Sequence, residues 1–142
     1  MQGLSLMGAM LKVAAGLIFH EGKVLIGKRP KGKPYPGYWE FPGGKLEAGE
    51  SAEDCLRREL REELGITAEL GMLLTHSEYI YASGPVSIAL FHVVRFLGEL
   101  RSVEHEELRW ARWDRLHSEN LLPGNIDMLG KVDITDLPIF LR

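Results

Sequence analysis

The chain predicts an α/β fold in which a mixed β-sheet carries helices on its faces, and three observations lead there. Two β-rich runs near the start, Leu11 to Phe19 and Lys23 to Arg29, are separated by three residues. One segment in the middle, Ala52 to Leu64, has helical periodicity with good signals at both ends. The order is then strands, helix, strands and a late helix, which is not the regular alternation of a parallel βαβ array.

In chain order, "LKVAAGLIF" and "KVLIGKR" are aliphatic and β-branched, and His20-Glu21-Gly22 between them reads as a hairpin turn. "PKGKPYPGYW" is crowded with proline, glycine and lysine and is expected to be an irregular loop. "EFPGGK" turns the chain into an acidic stretch. Ser51 is a good N-cap, Glu53 and Asp54 suit the positive end of a helix dipole, and Gly65 sits where a helix ends. Thr67 to Ala82 and Val86 to Leu100 read as two long strands joined by Ser83-Gly84-Pro85. "EHEELRWARWDRL" holds one more short strand, and a final helix with a ragged end is expected from Asn125. No repeat, low-complexity tract or linker interrupts the 142 residues, so the expectation is one domain over 1–142, with 1–10 a flexible leader or alternative start.

Bulk properties narrow the function. A net charge of −3 and a pI near 6.0 argue against a surface for a nucleic-acid polymer. A small phosphorylated ligand remains compatible, because metal ions supply positive charge locally. "VAAGLIF" is too short to span a bilayer, and the start lacks the basic region of a signal peptide. Cys55 is the one cysteine, which fits a reducing, cytoplasmic setting.

The acidic helix is the informative element. At about 100° per residue, Ala52, Cys55, Leu56, Leu60 and Leu64 form an apolar stripe. Glu63 projects about 20° from Ala52, inside the stripe, and Glu59 lies about 20° away on the other side. A solvated face with i,i+4 ion pairs explains Glu53, Asp54, Arg57 and Arg61. It does not explain Glu59 and Glu63, which lean toward packed groups where an unpaired carboxylate is costly. Carboxylates converging on one side make a hard-cation site, and oxygen-only ligation suits Mg²⁺, with Mn²⁺ as substitute. Gly43 and Gly44 permit close backbone approach, and Glu50 can turn back toward the same place. The spacing of a P-loop is absent around "GGK".

Gly44, five residues, Glu50, seven residues and then "RELREELGI" resemble the Nudix box at every fixed position: Gly44, Glu50, Arg58, Glu59, Leu60, Glu62, Glu63, Gly65 and Ile66. "YWEFPGGK", "KVLIGKRP" and the strand around Trp110 extend the likeness over nearly the whole chain, toward the MutT-like branch. The resemblance implies a Nudix-type α/β/α sandwich. It also implies Mg²⁺-dependent hydrolysis of nucleoside triphosphates to monophosphate and pyrophosphate, oxidised or non-canonical nucleotides included. By resemblance Glu59, Glu62 and Glu63 are metal ligands, the Gly44 carbonyl a backbone ligand, and Glu50 a supporting acid of the metal set. Arg58 then orients the glutamates through salt bridges. The general base is Glu59 or Glu62, or an acid of the loop Glu104, Glu106 and Glu107, with Glu106 the loop candidate. Taken singly, each loop acid reads more simply as part of a solvated turn.

For the substrate, the likeness points to Arg29 at the end of the second strand, to the Phe41 backbone and to Asn125 in "LLPGN". Lys45, in the glycine turn, completes the expected contacts. An Asn amide offers donor and acceptor together, which suits a purine edge, and Asn125 also reads as the N-cap of the last helix. The turn Ser83-Gly84-Pro85 departs from the MutT pattern, which has an arginine nearby. Trp39, Tyr79 and Tyr81 read as core aromatics that are also able to stack a base. His76, His92, His105, His117 and Cys55 show no metal-ligand spacing and read as structural or surface residues. The partner is a small nucleotide, bound by a monomer or homodimer. Hydrolysis of a dinucleotide or of a nucleotide sugar such as ADP-ribose, and a non-catalytic nucleotide-sensing module, are the competing expectations.

Overall fold

The computed structural model describes residues 10–137. The expected leader, save Met10, lies outside them, as do the last five residues. The elements are β1 (Leu11–His20), β2 (Lys23–Lys28), β3 (Trp39–Glu40), β4 (Gly43–Lys45), α1 (Ala52–Leu64), β5 (Thr67–Tyr81), β6 (Gly84–Leu97), β7 (Glu107–Arg112) and α2 (Pro123–Leu129). Two 3₁₀ helices, Trp113–Ser118 and Ile134–Asp136, flank α2. Among the described residues no helix is long and apolar enough to cross a membrane.

The strands form one mixed sheet along the path β3-β2-β1-β6-β5, with β4 also paired to β1 and β7 to β2. β1 and β6 run parallel, and the other pairs are antiparallel. β1 sits at the centre, and its run Ala14 to Ile18 is buried on both faces, as a central strand between two layers must be. The strand pleat sorts it: Ala14 and Ile18 pack with Leu56, Leu60 and Leu64 of α1, whereas Ala15 and Leu17 pack with Leu116 and Met128. Helix, sheet and helix layers result, as the sequence predicts.

β1 pairs with β2 only through Phe19 and His20, while Val13 to Ala15 pair with β4. The two neighbours diverge along β1, and the turn between β3 and β4 lies in the gap, with the Gly16 N–H donating to the Pro42 carbonyl at 2.9 Å.

Three local expectations are corrected. Trp39–Glu40 and Gly43–Lys45 are short strands, not loop and turn, because β2 and β1 offer them ladder partners that no local propensity reveals. A 3₁₀ helix follows β7 directly. α2 begins at Pro123, a first-turn position where the missing N–H costs nothing. Leu122 therefore occupies the N-cap without a side-chain bond, and Asn125 lies inside the first turn.

The caps of α1 fall where expected. Ser51 Oγ accepts from the Asp54 N–H at 3.1 Å. Gly65 takes the left-handed conformation, φ 72°, and the Gly65 and Ile66 N–H groups return to the Arg61 and Leu60 carbonyls.

Candidate active site

Arg58 organises the near side of α1. Its Nε and Nη2 donate to the two oxygens of Glu50 at 2.8 and 2.9 Å, and its Nη1 donates to Glu59 at 2.7 Å and Glu62 at 3.2 Å. Nη2 also reaches the Lys45 carbonyl at 3.1 Å, and Glu47 stands 3.7 Å from Nη1. The Glu47 N–H donates to Glu50, so Glu50 has both oxygens engaged. Those Arg58 bonds first, and the Glu47 N–H second, hold its carboxyl down at about 2. Glu50 is thus the partner that fixes Arg58, the role of a supporting acid beside the expected metal set. Lys45 is exposed, and its carbonyl serves the same network.

Glu63 is the opposite case. It is 5% exposed, and its Oε2 is buried with no hydrogen-bond partner. Burial first, then the neighbouring charges of Glu59, Glu104 and Glu40, push its carboxyl far above the ordinary range. A buried carboxyl with one orphaned oxygen beside the acidic Glu59 is a position where added positive charge would be stabilising. The backbone is shaped to the same end. A Cβ on Gly44 would fall 2.2 Å from the Glu59 carboxyl carbon, so the glycine is what lets Glu59 lie over the turn. The Gly44 carbonyl accepts a weak bond from buried Cys55 Sγ at 3.5 Å, and burial raises that thiol to about 11. Among the described residues no three acidic, His or Cys side chains stand close enough to form a ready-made cluster. Glu59 and Glu62 each give one oxygen to Arg58, and Glu62 is exposed.

The loop before β7 meets this end of α1. Val103 N–H donates to the Glu63 carbonyl at 3.1 Å, and Glu104 pairs with Lys33 at 3.1 Å. Both Glu104 and Glu106 are exposed; the charge of Glu104 bears on Glu63, and Glu106 is held through its backbone N–H to the Lys28 carbonyl at 2.9 Å. His105 was read as structural or surface; it is buried, with Nε2 3.1 Å from Glu40 Oε2. The other Glu40 oxygen accepts from Arg29 Nη1 at 2.8 Å, and Arg29 Nε donates to the Pro34 carbonyl at 2.7 Å. Arg29 thereby shapes the loop 30–38, with its side chain 18% exposed. Glu40 and His105 escape the sequence reading because their pairing spans 65 residues.

Phe41 and Asn125 are brought together. The Phe41 N–H donates to Asn125 Oδ1 at 2.8 Å across 84 residues, both residues being buried. One lone pair of the Asn125 amide oxygen is therefore engaged inside the protein, by the backbone of the other residue expected to meet the base. Tyr81 stands alongside, its hydroxyl accepting from the Gly124 N–H at 2.8 Å. Tyr35, Tyr79 and Tyr81 form a half-buried ring cluster with centroids 4.8 to 5.3 Å apart, so these tyrosines are wall, not core.

A mixed sheet between helices, with an acid-bearing helix entered through a glycine turn, defines a Nudix hydrolase, an enzyme of phosphoanhydride bonds. The NUDIX domain model matches residues 10–131, and the chain belongs to that family. It is 37% identical over 120 residues to the CTP pyrophosphohydrolase of Escherichia coli, covering 84% of this chain and 89% of that protein. It is 32% identical over 124 residues to the 8-oxo-dGTP diphosphatase of Haemophilus influenzae, covering 87% and 91%. The crystal structure of a MutT NUDIX hydrolase from Burkholderia pseudomallei superposes with a TM-score of 0.79 at 32% identity, covering 88% and 99%.

Proposed function

We propose that this chain is a Mg²⁺-dependent nucleoside triphosphate pyrophosphohydrolase that works in the cytoplasm as one domain. The observation that carries the reading is buried Glu63, one of whose oxygens has no hydrogen-bond partner, beside Glu59 at a glycine turn whose carbonyl faces the helix. Glu59, Glu62, Glu63 and the Gly44 carbonyl would hold Mg²⁺. When bound, the ion screens the polyphosphate oxygens and acidifies water. Arg58 holds Glu59 and Glu62 in register, and Glu50 holds Arg58. Glu104 accepts the proton of the attacking water. As the new P–O bond forms, the anhydride P–O bond breaks and pyrophosphate leaves with the electron pair.

Asn125 supports a preference among bases. With Oδ1 taken by Phe41, the amide offers its NH₂ and so favours a base that presents a carbonyl. Relatives named for CTP and for 8-oxo-dGTP fit this, since cytosine and 8-oxoguanine both carry one. The test is a panel of CTP, dGTP, 8-oxo-dGTP and ADP-ribose with Mg²⁺, read as pyrophosphate or monophosphate release. Turnover of a cytosine or guanine triphosphate is expected; no turnover of any triphosphate overturns the proposal.

A further inference from the structure

Residues 98–106, between β6 and β7, form no helix or strand, yet they are tied on two sides. Arg101 and Val103 donate their N–H groups to the Leu64 and Glu63 carbonyls at 2.9 and 3.1 Å, using carbonyls that the end of α1 leaves unpaired. Glu106 donates to Lys28 of β2 at 2.9 Å, and Ser102 Oγ donates to the His105 carbonyl at 2.6 Å. His105 is the most deeply buried side chain of this run, 4% exposed, while Leu100 packs part-buried against the core beneath α1. Its ring occupies the place of a side chain on Gly27, where a Cβ would lie 2.5 Å from Cδ2.

The chemistry of this contact is specific. An ionised Glu40 carboxylate only accepts, so Nε2 carries the proton that joins them. Nδ1 is buried without a hydrogen-bond partner. An aliphatic side chain would fill the slot beside Gly27 without that penalty, so the bond to Glu40 is what favours histidine here. Glu40 in turn carries Arg29, and through it the loop 30–38, whose Lys33 meets Glu104.

We propose that His105 is a positioning residue for the hydrolysis: its bond to Glu40 locks the loop 101–106 so that Glu104 stands against the acidic end of α1. This rests on the reading of Glu104 as the proton acceptor. The charge of Glu104 felt at Glu63 agrees with that placement. Lys33 is an exposed partner and holds Glu104 weakly; the buried bond supplies the precision.

The test compares His105→Ala with His105→Gln, in which the amide nitrogen can reach the place of Nε2. Hydrogen exchange of the Val103 and Glu106 amides should quicken about tenfold or more in His105→Ala, with the Gly65 amide unchanged. In the same variant kcat should fall about tenfold or more with KM within about twofold, and His105→Gln should recover most of both. Unchanged exchange overturns the proposal, as does altered exchange with an unchanged kcat. A loss of kcat that His105→Gln fails to recover, matched by a loss of thermal stability, assigns His105 to the fold alone and also overturns it. Should the wild-type protein hydrolyse no nucleotide, the functional reading fails by itself, while the exchange measurement still decides whether His105 locks the loop.

Discussion

Arg58 and Glu63 share one helix and live under opposite electrostatic conditions. Arg58 is surrounded by Glu47, Glu50, Glu59 and Glu62, and its bonds to them draw Glu50 far down and Arg58 further into its charged form. Glu63 has a buried oxygen with no partner and acidic neighbours that hold its proton on. The difference separates two kinds of acid within one motif. Glu50 has both oxygens bonded as the chain folds, Glu59 and Glu62 each give one oxygen to Arg58, and Glu63 keeps a buried oxygen without a partner, the condition that the proposed cation would relieve.

The largest effect that sharpens this contrast is Glu63→Gln. Turnover at saturating Mg²⁺ should fall by about a hundredfold or more, and Mn²⁺ affinity read by electron paramagnetic resonance should fall with it. A variant of unchanged rate would place Glu63 outside the site.

Next comes the region proposed to read the base. Asn125→Ala leaves the buried Phe41 N–H unpaired, and the urea midpoint should report a loss of about 1–3 kcal/mol. Asn125→Asp keeps an acceptor for Phe41 and removes the NH₂ donor, so stability should hold while KM rises about tenfold. If both variants lose stability equally, the Oδ1 bond is not what Asn125 contributes.

Stability against pH probes the contrast directly, with opposite signs. Glu63 keeps its proton in the fold above its unfolded value of 4.5, so metal-free stability is full below that value and declines as pH rises toward the raised folded value. Glu63→Gln should flatten this decline, gaining roughly 1–3 kcal/mol at mildly alkaline pH, and saturating Mg²⁺ should flatten it in the wild-type protein. Equal slopes in variant and wild type would show that Glu63 is paired after all.

The smallest effect is on the acid side. The folded value of Glu50, about 2, lies below its unfolded 4.5, so its stabilisation is present above 4.5 and is lost as pH falls through about 2. Glu50→Gln should flatten that acid limb in a denaturation series. An unaltered limb would mean that Arg58 is held without Glu50.

Much of this was legible before any coordinates. The ends of α1 were readable because caps are local chemistry: a serine hydroxyl within reach of the third N–H, and a glycine able to adopt positive φ. Glu63 was readable because helical periodicity alone sets it among apolar residues. The strands β3 and β4 were not, since each is a few residues long and exists through a partner distant in sequence. The bond that joins Asn125 to the Phe41 backbone was hidden as well, because the two lie 84 residues apart.

By itself the sequence determined the layered α/β class, the limits of α1, and which acids that helix turns toward the core, because each depends on contacts within a few residues. The tertiary structure decided which contacts those acids make: Glu50 bound to Arg58, one Glu63 oxygen left without a partner, the charge of Glu104 brought to bear on Glu63, and His105 drawn into the slot beside Gly27. A carboxylate's role depends on which donors and charges lie within a few ångströms, and only folding brings those together.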